Sequence, residues 1–142
     1  MELDVITYIA TTQKNPSGIE TWASIIDYGV TQEYYSGVVN CACNNQTILQ
    51  AILETVPRIS LLEYSPTVFV VGSSYIVRTL TKLSEGVPLH RVQAKPMRNI
   101  DLWKEVQLKG VSWKSVSVDN LPGSREVVRL ADSLLKREQN GN

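Results

Sequence analysis

The chain has 142 residues with equal numbers of acidic and basic side chains, 43% of them apolar and 20% charged, which is the composition of one water-soluble globular domain. No apolar run approaches the roughly 18 residues of a membrane span, and the acidic opening MELDVITYIATTQ lacks the basic start of a signal peptide. With only Cys41 and Cys43, a disulfide scaffold is excluded and a reducing, cytoplasmic location is expected.

Leu3–Ala10 is rich in β-branched residues and predicts a strand; KNPSG at 14–18 is a turn. Thr21–Tyr28 and Tyr34–Ala42 predict two more strands, joined over Gly29–Glu33, and three strands so closely connected form an antiparallel meander. The period then changes. Ile48, Ile52, Leu53 and Val56 recur at helical spacing behind Asn44 or Asn45, either of which can cap the helix. The continuous apolar run Thr67–Val71 predicts a strand covered on both faces. A helix opens at Ser73 or Ser74 and runs to about Leu83, followed by a loop over Gly86–Pro96 and a helix from Asp101 to about Leu108. Val111–Val118 alternates as a strand should. Ser124–Lys136 predicts the last helix, with Val127, Val128, Leu130, Ala131, Leu134 and Leu135 on its inner side and a polar tail beyond. The expected fold class is α/β (mixed α+β). It comprises a five-stranded mixed sheet of three antiparallel meander strands and two parallel ones, with helices on both faces. One domain is expected over 1–137, with 138–142 a disordered tail.

Charge is unevenly spread. Residues 1–64 carry seven acids and two bases; residues 78–114 carry eight bases and three acids. A basic segment on a neutral chain reads either as a phosphate footprint or as a solvated face. Cys41 and Cys43 cannot make a zinc site, because the single histidine, His90, lies far away in the loop. His90 reads as a loop residue, and Trp22, Trp103 and Trp113 as core.

Six stretches carry a resemblance. They are NPSG at 15–18 followed by Trp22, Cys43-Asn44-Asn45-Gln46, Ser73-Ser74-Tyr75-Ile76-Val77, KPMRNIDLW at 95–103, VSWKSVSV at 111–118 and LADSLLK at 130–136. In this order they resemble the ribonuclease H type 1 family in its bacterial form, across about residues 3–137. The resemblance implies the ribonuclease H fold, a nucleic-acid partner (an RNA–DNA hybrid or structured RNA) and a substrate-gripping loop in the basic stretch before Trp103. It implies that Asn15, Asn44, Asn45, Gln46, Ser73, Arg91, Lys95 and Arg98 face nucleic acid. For Asn44 and Ser73, helix capping is the alternative.

Members of that family cut the RNA strand with two Mg²⁺ or Mn²⁺ ions held by four carboxylates, oxygen donors that a hard cation requires. Carried over residue by residue, those four positions fall on Ile9, Ile48, Gly72 and Asp132, of which only Asp132 is an acid. No intact catalytic set, no metal site and no cofactor is therefore expected. The expected function is a pseudo-enzyme that binds nucleic acid without cleaving it, a type found in viral and mobile-element proteins. Two other readings stand beside it. One is a structural or protein-interaction module, self-assembling or bound to a partner. The other is a weak residual nuclease using Asp132 with Asp119 or Glu126.

Overall fold

The computed structural model describes residues 5–12, 18–40, 43–59, 66–92, 99–106, 108 and 110–140. Five strands form one sheet: β1 (Ile6–Thr11), β2 (Ile19–Asp27), β3 (Gln32–Asn40), β4 (Thr67–Val71) and β5 (Ser112–Val116). Their spatial order is β3-β2-β1-β4-β5. The first three pair antiparallel, while β4 runs parallel to both β1 and β5. The helices are α1 (Asn44–Thr55), α2 (Ser74–Ser84), α3 (Leu89–Val92), α4 (Ile100–Glu105) and α5 (Pro122–Asn140). Among the described residues no helix is long and apolar enough to cross a membrane.

The sheet separates two cores of different character. On one face, Ile9, Trp22, Ile26, Val68, Val70 and Trp113 bury against Ile48, Leu49 and Ile52 of α1, Ile76 and Leu80 of α2, and Trp103 of α4. On the other face lie Ala10, Ala23 and Ile25, met by Val127 and Ala131 of α5. Alanines on both partners let α5 approach closely, and the Thr21 hydroxyl donates to the Ala131 carbonyl at 2.7 Å. At the other end of α5, a Cβ built on Gly123 would lie 2.4 Å from the Tyr8 ring, so only glycine fits there. Tyr8 in turn stacks on Phe69 with centroids 5.3 Å apart. Burial, and secondarily the Asp27 carboxylate, raise the Tyr8 phenol above its ordinary pKa.

Several boundaries differ from the sequence reading. β2 begins at Ile19, because Glu20 is fully buried within the strand and does not mark its end. β4 is fully buried on the α1 side only: Val68 and Val70 are buried, while Thr67, Phe69 and Val71 are half-buried. α5 packs on β1 and β2 and leaves that side of β4 partly open. The segment expected to be loop after Gly86 contains the single turn α3. α5 starts at Pro122 and runs through Asn140, so residues 138–140, expected to be disordered, are helical.

Candidate nucleic-acid interface

The four positions onto which the resemblance carries the family's carboxylates lie on β1, on α1, just after β4, and on α5. Ile9 and Ile48 are fully buried members of the larger core. Each buried isoleucine stabilises the fold by about 2 kcal/mol, and no like-charge repulsion offsets it. Ile9 sits beside Val70 in the parallel β1–β4 ladder, and the chain leaves β4 two residues later at Gly72. Gly72 adopts φ +81°, and its N–H donates to the Val116 carbonyl at 3.0 Å, tying the strand end to β5. Asp132 is exposed on α5. These four positions thus carry two buried hydrocarbons, one glycine and one exposed carboxylate. Among the described residues no three His, Cys, Asp or Glu side chains come together as a metal site requires.

Asp119 and Glu126, the alternative acids, line an open hollow of about 630 Å³ with Arg125 and Arg129, and Asp119 pairs with Arg125 at 3.5 Å. Asp132 is not among the lining residues. It lies six residues beyond Glu126 on α5, which turns it to a different side of the helix about 9 Å further along the axis.

At the start of α1 the structure corrects the capping expectation. The N-cap position is Cys43, with no side-chain capping bond. The Asn44 amide points inward instead and donates to Thr11 Oγ1 (2.7 Å), the Thr12 carbonyl (3.1 Å) and Glu20 Oε1 (2.8 Å). Asn44 is therefore a bolt between α1 and the ends of β1 and β2, its amide nitrogen engaged inside the fold. Glu20, which sequence reasoning passed over, is the acid it serves. A usable signal was available: Glu20 shares its strand face with Trp22 and Ile26, both core residues.

Asn45 and Gln46 remain half-exposed in the first turn of α1. Asn99 begins α4 in the left-handed region, φ 62°, and its amide reaches Cys43 Sγ at 3.5 Å. The start of α1 and the start of α4 are thus in contact. Ser73 caps α2, its Oγ accepting from the Ile76 N–H at 3.4 Å, so the capping alternative holds there. Arg91 and His90 are exposed on α3, and Arg78, Lys82, Lys104 and Lys114 are exposed on α2, α4 and β5. Asn15, Cys41, Lys95 and Arg98 lie outside the described residues.

No protein-family model and no curated protein matches the sequence. Solved structures do match. A crystal structure of LC9-RNase H1, a type 1 RNase H with the type 2 active-site motif, superposes with a TM-score of 0.73 at 16% identity, over 94% of this chain and 72% of that one. The solution structure of the PFV RNase H domain gives 0.69 at 15% identity, over 94% and 93%. RNase H1 from the halophilic archaeon Halobacterium salinarum gives 0.58 at 17% identity, over 94% and 98%. At such identities the likeness is one of fold, and the chain has the type 1 ribonuclease H fold that its motifs led us to expect.

Proposed function

We propose that this protein binds nucleic acid, an RNA–DNA hybrid or structured RNA, on a ribonuclease H scaffold and does not hydrolyse it. The observation that carries the reading is the Asn99–Cys43 contact. It sets the half-exposed Asn45 and Gln46 beside the point where the basic stretch re-enters the fold. Side-chain amides and hydroxyls at that place can read a sugar 2′-hydroxyl, and the exposed cations of the 78–114 segment can neutralise phosphates. The non-hydrolytic half of the reading is supported by the residues at positions 9, 48, 72 and 132, which offer one carboxylate where two-metal hydrolysis uses several.

The test is binding of a fluorescent hybrid across a salt series, with a cleavage assay in Mg²⁺ and Mn²⁺ alongside. With three or four phosphate contacts, log affinity falls against log salt with a slope of about −3, or roughly 60-fold between 50 and 200 mM. Arg91→Ala is expected to reduce that slope by about one, and Asn45→Ala with Gln46→Ala to weaken the hybrid more than the same-sequence DNA duplex. No binding at about 50 mM salt removes the proposal. Cleavage that Asp132→Asn abolishes removes its non-hydrolytic half.

A further inference from the structure

We propose that the outer edge of β3 pairs antiparallel with the same edge of a second copy of this chain, about a two-fold axis at Ser36. β3 ends the sheet, and among the described residues no strand pairs with its outer edge. A nine-residue edge of this length, QEYYSGVVN, carries no lysine and no proline, the usual devices against edge-to-edge pairing. The opposite edge does carry one: β5 has only five residues, and exposed Lys114 stands at its centre.

The pattern within β3 identifies the occupant. Its exposed large apolar side chains are Tyr34, 51% exposed, and Val38, 43% exposed. They lie two residues either side of Ser36, the midpoint of Gln32–Asn40. Antiparallel pairing about Ser36 therefore sets Tyr34 opposite Val38 of the second copy and Val38 opposite its Tyr34. Both are aromatic–β-branched pairs of the kind that stabilises a ladder. The same register matches all nine residues end to end. It places Glu33, the strand's one charge, opposite a valine and far from the second copy's Glu33, so no like charges meet. Beside this strand, Tyr34 and Ser36 border a groove on α5 lined by Leu130 and Leu134, with Ser133 and Arg137 at its polar side. An interface made of one strand seam and its flanking helix falls at the small end of specific interfaces, below about 1,200 Å². The dimer is thus concentration-dependent. This pairing is independent of nucleic-acid binding.

Sedimentation equilibrium of the full chain over about 1 to 100 µM, the range where such small interfaces associate, tests it. The mass should rise from one chain towards two. Tyr34→Lys and Val38→Glu, both at exposed positions, should each raise the midpoint concentration at least tenfold while leaving the far-ultraviolet dichroism unchanged. Mixed one to one, the two variants should associate again, because the register sets the introduced ammonium opposite the introduced carboxylate. A chain monomeric throughout, a dimer indifferent to both variants, or a mixture no stronger than its components overturns the proposal.

Discussion

Replacing Asn44 by alanine separates a structural bolt from a ligand contact. The Asn44 amide has two hydrogens and three acceptors within 3.1 Å, so two bonds are made at any instant. A neutral hydrogen bond contributes about 1 kcal/mol, and one to a carboxylate about 1.5–3. Glu20 and Thr12 are buried, at 0% and 3% exposure, so their freed acceptors have little access to water. The expected loss is about 3 kcal/mol, or roughly 10 °C in Tm for a domain of this size. An exposed ligand contact would lose less than about 0.5 kcal/mol. Asn44→Asp sharpens the test. At a helix N-terminus a carboxylate is ordinarily favourable, by up to about 1 kcal/mol. Here it would face Glu20 across hydrogen-bonding distance and should be worse than alanine. The assay is thermal unfolding followed by dichroism, paired with hybrid affinity measured well below both midpoints, where the alanine variant should bind within about twofold of the parent. An aspartate variant as stable as the parent would refute the inward placement of Asn44.

Gly37→Ala should cost about 2 kcal/mol, read as a lower urea midpoint and altered Trp fluorescence, because its Cβ would stand 2.5 Å from Nε1 of buried Trp22. Ile9→Asp should cost upwards of about 4 kcal/mol, the lost burial plus an uncompensated carboxylate, against about 1 for Ile9→Val. Millimolar Mg²⁺ should raise the melting temperature of neither the parent nor Ile9→Asp; a rise of several degrees would indicate a cation site. The raised Tyr8 pKa, due first to burial and then to Asp27, favours the neutral phenol in the folded state. Stability from this group is therefore complete below pH 10, the ordinary value, and is lost as pH rises through the folded value. Tyr8→Phe should flatten that alkaline loss in urea melts, with Tyr35, raised chiefly by its hydrogen bond to Glu33, left as background.

All five strands were legible from their apolar periods, and so were the four longer helices. What escaped were features set by partners distant in sequence. Glu20 looks like a strand boundary until Asn44, on another element, is brought against it. Asn44 looks like a cap because the local rule for asparagine before a helix is strong, yet two strand ends compete for the same amide and win. The turn at Leu89–Val92 has too few residues for a period to register. Within the site, the residue types at 9, 48, 72 and 132 are given by the chain itself, and the fold adds that Ile9 and Ile48 are buried in one core while Asp132 is exposed. The contact between Asn99 and Cys43 was not legible, since it joins residues whose nearness is a product of the fold.

The left-handed backbone at Gly72 limits what side chain that position can take. An acid installed there must enter a left-handed backbone at about 1 kcal/mol, while acids at 9 and 48 must each displace buried hydrocarbon. Each of these changes lowers folding stability on its own. Variants with a single acid at 9, 48 or 72 should therefore each melt below the parent chain.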